Sequence, residues 1–501
     1  MRLGILALHF LLCSISLACA DDRVVRLTAP DGGLEIEGEL LSVDGEFFRL
    51  QTEFGPVTLD AGGMACAGAA CPSPEDSVVG VTLAGPTDLL DGLLRPIMTG
   101  FARDRGWSFV EAPDGPKTTT WTLIDPLDGR DIAVWTVGRN VPKPDLVVSR
   151  LSTPPELFGD VIALDAMVLL VAPDNPVATL STRTLRLMLE GRLDRWPEVL
   201  TGIADAAAPD INLHLPTDLT FFGRIWPYAP VAPSARAVFY DDALGGLSDA
   251  VADDPGAVGV APISQLGGAT PLVMAGPCGR VFPATPFRIK AEDYPLTQPI
   301  YIERLTAFPP RVVRDFIGFA QSEKAQEIIR RTGLIDQSIA RLPFSRQSAR
   351  LANAVSSGGD DAVAQAQVAR MIRTLARADR LSLSFRFEDG QAALDATSRS
   401  NVRQLAEAIE DGAFEDEELL FVGFTDGLGP AEANLRLSRQ RAETVAEAVK
   451  QALTGSPQRI LTDGFGESLP MACDDAHWGR EINRRVEVWS RPRADAAPLP
   501  D

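Results

Sequence analysis

Gly423-Phe424-Thr425-Asp426-Gly427-Leu428-Gly429-Pro430-Ala431-Glu432-Ala433-Asn434-Leu435-Arg436-Leu437-Ser438-Arg439-Gln440-Arg441 is the stretch on which the reading of this chain turns. The apolar run before it reads as a strand ending at Thr425-Asp426. Gly427 and Gly429 make a short loop, and a helix follows. Asn434, Leu437/Ser438 and Arg441 recur at i, i+3/4 and i+7, so the spacing places them on one helix face. Asp426 at the strand end and Arg441 on the helix then face one pocket. An acid beside a base, with an amide between, suits a zwitterionic amino-acid headgroup: the carboxylate takes an ammonium and the guanidinium a carboxylate. The spacing alone leaves a second reading, in which Asp426 caps a loop or helix start and Arg441 forms a surface ion pair.

Around this stretch, residues 381–490 read as strand, helix (397–410), strand (418–424), helix (431–453), strand (458–464) and strand (485–490), an α+β sandwich. Four ordered motifs lie in it: Gly423-Phe424-Thr425-Asp426, Asn434-x-x-Leu437-Ser438-x-x-Arg441-Ala442, Gly464-Phe465-Gly466-Glu467 and Gly479-Arg480-x-x-Asn483-Arg484-Arg485-Val486-Glu487. Together they resemble the OmpA-like peptidoglycan-binding domain. The resemblance implies that Asp426, after Thr425, and Arg441 clamp the diaminopimelate of a stem peptide. It implies that Asn434 and Arg484 support the pocket, with Leu437 in the same motif. Phe424 stands where histidine is common; it precedes the clamp and does not remove it.

Upstream, residues 77–345 alternate strand and helix, which predicts an α/β domain with parallel sheets. Val78–Leu83 reads as a strand, and Thr87 as a residue able to cap the helix that buries Leu90, Leu93, Leu94, Ile97 and Phe101. The stretches Asp160–Asp165, Asp174-Asn175-Pro176-Val177, Leu189–Trp196, Asp254–Gly259 and Tyr294-Pro295-Leu296 resemble the phosphate-type periplasmic solute-binding proteins. That resemblance implies two lobes joined by crossing strands, with a ligand in the cleft. Such sites grip an oxyanion with backbone N–H groups and Ser/Thr hydroxyls. Here the first loop is Gly85-Pro86-Thr87-Asp88, where proline removes a donor and Asp88 adds negative charge. The second keeps Ser149 and Arg150. The third is Asp218-Leu219-Thr220, of which only Thr220 fits. Three readings stay open: phosphate at an altered site, another small solute, or an envelope interaction module with a degenerate site. A phosphate or oxyanion component of an uptake or sensing system is the alternative to wall binding.

Residues 21–62 read as a small β unit with a hairpin turn at Asp44-Gly45, residues 63–76 as a linker, and 346–380 as a helical connector with an apolar stripe at Val368, Met371, Ile372 and Leu375. The tail 491–501 reads as frayed. Residues 1–20 read as a signal peptide: Arg2, the apolar run Leu3–Leu12 and the small-residue site Ala18-Cys19-Ala20. A lipoprotein reading would use Cys19, and the run is short for a membrane span. Export leaves Cys66, Cys71, Cys278 and Cys473, an even set in an oxidising compartment. The short Ala-Gly-Ala-Ala spacer suits a Cys66–Cys71 ring, and by elimination Cys278 pairs with Cys473. The expected setting is the periplasm of a Gram-negative envelope, against the cell wall and its outer membrane, with envelope proteins as further partners.

Length and composition bound the rest. At 501 residues the chain is expected to hold about three domains. Its charge, 47 basic minus 68 acidic residues or −21, argues against nucleic-acid partners. Only His9, His214 and His477 are present, far apart, so a metal centre and a histidine relay are not expected, nor is a cofactor. The sequence lacks a Gly-x-Ser-x-Gly elbow and a His-Glu-x-x-His motif, and Glu415/Glu417 and Asp474/Asp475 read as solvated loops rather than acid/base pairs. The expectation is a binding protein, not an enzyme.

Overall fold

The computed structural model describes residues 23–493 apart from 30–32, 44–46, 61–63, 69, 72–77, 116, 151–157, 203–207, 227–230, 233, 242–243, 305–308, 358–361, 388–392 and 456–457. The expected signal peptide, the Asp44-Gly45 turn, Gly358-Gly359 and most of the tail therefore lie outside the described residues.

Alternation along Val24–Thr28 and Phe47–Thr52 sends Val25, Leu27, Phe48 and Leu50 to one side, where they form a small buried cluster. The five-stranded antiparallel sheet runs Gly55–Asp60, Phe47–Thr52, Glu35–Val43, Val24–Thr28, Ala65–Ala67. The last strand corrects the linker reading. Cys66 pairs in register with Leu27 and is disulfide-bonded to Cys71, so the cysteines belong to the β unit itself.

Phe158–Val171 organises the central domain. Its first part pairs antiparallel with Thr297–Arg304, from Phe158↔Arg304 to Ala166↔Thr297; its second part pairs with Ala257–Pro262, from Met167↔Pro262 to Leu170↔Gly259. One strand thus serves two lobes, each with its own core. Phe101, Trp135, Ile302 and Phe316 anchor the first, and Leu169, Trp196, Phe222 and Tyr294 the second. The sheet is mixed rather than parallel as expected. Val79–Ala84 lies parallel to Asp131–Gly138 and Leu146–Ser149, but Ser108–Pro113, Thr118–Ile124 and both crossing strands are antiparallel. Pro86, not Thr87, stands at the helix N-cap, without a side-chain capping bond. Ser181 does cap Thr182–Leu189, its Oγ accepting from the Thr184 N–H.

The C-terminal sheet runs Arg341–Pro343, Asp379–Phe385, Arg485–Pro492, Glu417–Phe424, Ile460–Gly464. Helices Ala396–Glu410 and Ala431–Ala452 cover one face through Val402, Leu405, Ala442 and Val445. The supposed connector covers the other: Val368, Met371 and Leu375 pack on Leu420, Val422 and Trp489, so it is part of this domain. The strand at 379–385 is buried on both faces, which a period-two pattern with serines does not suggest. A further helix, His477–Asn483, lies beyond the expected elements.

This helix joins the domains. Trp478 and Ile482, with Met471 and Ala472, belong to the core of the second central lobe, and Cys278 is bonded to Cys473 beside them. Arg380 is 1 % exposed and donates to Asp293 of the central domain at 2.5 and 3.0 Å. On its other side Glu487 forms an ion pair at 3.2 Å from Arg380 Nε, a nitrogen without a hydrogen-bond partner among the described residues, and accepts from Arg485 and Arg350. Burial alone would raise both carboxyls. The guanidiniums outweigh it, Arg380 holding Asp293 far below the usual carboxylate range, and Arg350, Arg380 and Arg485 holding Glu487 at about 2.

A carboxylate whose native pKa is depressed contributes stability above its unfolded value, near 4 on the order-of-magnitude scale, and loses it as pH falls through the native value. Denaturant midpoints are therefore expected to drop from about pH 5 toward pH 2; a flat profile over that window contradicts the network. Asp293→Ala, which leaves Arg380 buried without its central-domain partner, is expected to cost roughly 3–5 kcal/mol at neutral pH.

Candidate functional site

The long helix Ala431–Ala452 sits close against Glu417–Phe424 and Ile460–Gly464 because glycines stand at the crossing. A Cβ on Gly423 would overlap the Ser438 carbonyl oxygen, and one on Gly464 the Arg439 N–H and Ser438 Oγ. Ser438 Oγ accepts from the Gly466 N–H at 2.9 Å and donates to the Leu435 carbonyl at 2.9 Å. Asn434 Nδ2 donates to the Asp426 carbonyl at 3.3 Å and to Glu467 Oε2 at 2.7 Å. These contacts fix the strand-end loop against the start of the helix.

The structure brings Asp426, Asn434, Arg441 and Arg484 together at that point. Asp426 is 9 % exposed; its Oδ2 accepts from Arg484 at 3.1 Å and its Oδ1 from the Leu428 N–H at 3.3 Å. The direct cation on Asp426 is thus Arg484. Arg441 lies over the Phe387 ring at 5.3 Å, and its Nη1 is buried without a hydrogen-bond partner among the described residues. Burial lowers its pKa, the neighbouring Arg484 adds to this, and Asp426 opposes it. Thr425 is buried, its N–H bonded to the Gly466 carbonyl at 2.9 Å and its Oγ1 unpartnered among the described residues. Leu437 departs from the shared-face expectation. It is 39 % exposed, beside the buried stripe of Asn434, Ser438, Ala442 and Val445.

Two contributors were not singled out from sequence. Phe387 supplies the ring under Arg441, and only its place at the end of a strand pattern could have hinted at it. Glu467, within a quoted motif, holds Asn434. Asp474 also corrects an expectation. It is no solvated loop residue, since Oδ2 accepts from the Gly427 N–H at 2.7 Å and Oδ1 from Asn483 at 2.8 Å, tying the clamp loop to the joining helix.

The central cleft, about 300 Å³, gathers Asp88, Arg150, Thr217, Asp218, Asp241 and Gln298 among its walls. Thr220 lines the adjoining cavity with Arg150. Thr87 is exposed and Ser149 half-buried, and neither is among the lining residues of these two cavities. Arg150 donates to Asp88 Oδ2 at 2.5 Å and lies 3.8 Å from Asp165. Asp165 is fully buried, which raises its pKa; Arg150 and the Ser264 hydroxyl at 2.8 Å oppose this. Asp218 Oδ1 accepts from the Thr220 N–H at 2.9 Å, so that donor is already taken by a carboxylate. No group of three or more metal-ligating side chains occurs among the described residues, and no described helix is long and apolar enough to cross a membrane.

A two-lobed α/β domain with crossing strands, followed by an α+β domain with an acid–guanidinium pocket, is the class that this geometry defines. Residues 386–484 match the OmpA family, so the C-terminal domain is an OmpA-family domain. Outer membrane porin F of Pseudomonas fluorescens is 33 % identical over 115 residues, 23 % of this chain and 34 % of that protein. The probable lipoprotein YiaD of Escherichia coli K12 is 32 % identical over 107 residues, 21 % of this chain and 47 % of its own length. The chain thus spans between a third and a half of these relatives. Among solved structures, an ABC-type phosphate transport receptor from Vibrio cholerae aligns with 51 % of this chain and 99 % of its own at 18 % identity and a TM-score of 0.36.

Gly→Ala in an unstrained strand usually stabilises slightly through the unfolded chain. Gly423→Ala is expected to do the reverse, costing about 1–3 kcal/mol, because the Ser438 carbonyl occupies the space. Denaturant unfolding of the full chain checks the sign; an unchanged or higher midpoint means the helix does not pack this closely.

Proposed function

We propose that this is a periplasmic, non-catalytic cell-envelope protein that binds peptidoglycan non-covalently through its OmpA-family domain, at the diaminopimelate of the stem peptide. The observation that carries the reading is the pocket itself. Asp426 offers a carboxylate already charge-matched by Arg484, and Arg441 stands beside it with a nitrogen that has no hydrogen-bond partner among the described residues. An ammonium on Asp426 and a carboxylate on Arg441 satisfy both. The family match at 386–484 and the outer-membrane and lipoprotein relatives support an envelope setting. The two disulfides fit an oxidising compartment.

For the central cleft we infer a degenerate anion site. Arg150 is engaged by Asp88 and faces the buried Asp165, while Asp218 and Asp241 add negative charge to the walls. Asp88, Asp218 and Asp241 stand in its lining against the guanidiniums of Arg139 and Arg150, so a phosphate there meets more acids than bases. The oxyanion reading keeps one support, the two-lobed architecture with its crossing strands.

Asp426→Ala and Arg441→Ala are each expected to abolish co-sedimentation with purified sacculi while leaving the melting transition in place, because each leaves a charged partner unpaired. Sedimentation of both variants with sacculi would show that the clamp lies elsewhere. Calorimetry of the full chain with millimolar inorganic phosphate is expected to show no binding heat; saturable heat restores the oxyanion reading.

A further inference from the structure

Arg484 and Phe387, which hold the two sides of the clamp, also line a second space of about 540 Å³ between the C-terminal and central domains. That space shares Thr220, Arg224, Glu292 and Asp395 with a neighbouring cavity of about 320 Å³. The latter in turn shares Arg150, Phe221 and Gln298 with the interlobe cleft. A trench therefore leads from the clamp, along the seam of the two domains, to the cleft.

Its walls are built rather than accidental. Arg386 Nη2 donates across the seam to the Glu292 carbonyl at 2.8 Å, and Tyr301 Oη meets Thr397 Oγ1 at 3.0 Å. Arg386 is 7 % exposed, yet its Nη1 has no hydrogen-bond partner among the described residues and lies 3.6 Å from Glu292 Oε2. Glu292 is itself 4 % exposed, with its carboxyl raised by burial against the opposing pull of Arg386 and Arg224. Arg224 keeps 46 % of its side chain exposed and spends one donor on the Thr297 carbonyl at 3.2 Å. The Cys278–Cys473 bond and the Arg380–Asp293 pair hold the two walls in register.

We propose that this trench is an extension of the clamp, in which the central domain reads the stem peptide beyond its diaminopimelate. This rests on the peptidoglycan reading of the clamp. The chemistry favours a peptide over a simple anion. Guanidiniums (Arg224, Arg386), carboxylates (Glu292, Asp395, Glu481) and hydroxyls (Thr220, Thr397) line the walls together, matching the amide groups and isolated charges of a peptide and repelling a compact polyanion. Arg224, half-exposed and with its Nη2 3.7 Å from Glu292 Oε2, is the residue placed to meet a peptide carboxylate at the trench wall.

The test uses the full chain and two probes in calorimetry: free meso-diaminopimelate, and a tetrapeptide stem containing it. Wild-type protein is expected to bind the tetrapeptide more tightly than diaminopimelate. Arg224→Gln is expected to weaken the tetrapeptide by about tenfold or more and leave diaminopimelate unchanged. Glu481→Gln, at a position 35 % exposed and therefore low in folding risk, is expected to act in the same direction. Equal affinities of the wild type for the two probes, equal weakening of both by Arg224→Gln, or no effect of either variant on the tetrapeptide overturns the trench and leaves the clamp standing. A wild type that binds neither probe overturns the clamp and the trench together.

Discussion

Arg380 carries the whole arrangement of the molecule. It lies on strand Asp379–Phe385 of the C-terminal sheet, is 1 % exposed, and divides its guanidinium between Asp293 of the central domain and Glu487 on the adjacent strand of its own. A guanidinium removed from water is costly unless its donors and charge are met. Separating the domains would leave Arg380 with one acid in place of two and expose the Trp478 and Ile482 faces now inside the second lobe's core. The buried network favours one relative placement, because a hydrogen-bonded fork fits its carboxylate in few geometries. Tethered domains are expected to reorient freely where their contact is small and polar; here a disulfide and the apolar faces of Trp478 and Ile482 accompany the buried ion pairs.

That constraint explains why so much of the fold was legible in sequence while the joint was not. The four C-terminal motifs and the Cys66–Cys71 ring follow from local pattern and order, the Cys278–Cys473 pair from elimination, and the crossing-strand lobes from the resemblance to solute-binding proteins. Arg380 and Asp293 carry no pattern of their own, and Glu487, though it closes the fourth motif, is not marked there as the partner of either; their meeting depends on contacts 87 and more residues apart. The same holds for the connector helices. Their apolar stripe announced a buried face, but sequence could not say that this face was the far side of the C-terminal sheet. Mixed pairing in the central sheet was missed because strand–helix alternation describes the parallel strands and is silent about hairpins such as Ser108–Pro113 with Thr118–Ile124.

The meeting of Asp426, Asn434 and Arg441 was legible for a different reason. Its glycines serve close packing, and close packing has few solutions: a helix that passes directly over Gly423 and Gly464 needs both to lack side chains. Asp426, Asn434, Ser438 and Arg441 then fall where the helix repeat puts them. Leu437 shows the limit of that argument, since a window of three or four residues cannot decide which edge of a stripe meets solvent. Arg484 shows another. Its place in a motif marked it as support, but only the fold reveals that it is the cation on Asp426.

In the central cleft, by contrast, loop residues must be read in pairs. Asp88 looked like a charge opposing any bound anion. In the structure it does more, by taking the guanidinium an anion would need. The two observations differ in consequence: a distant acid merely weakens a site through a screened field, whereas an acid at hydrogen-bond distance fills the donor. Arg484 is the counterpart at the clamp, a guanidinium bonded to the acid that a ligand ammonium would seek. An ammonium arriving at Asp426 competes for Oδ2 and relieves Arg484 of part of its bond while adding positive charge beside it. Arg484 lines the space between the domains, so on the proposed reading a charge bound at Asp426 would be felt there, where a peptide carboxylate would be its counter-charge.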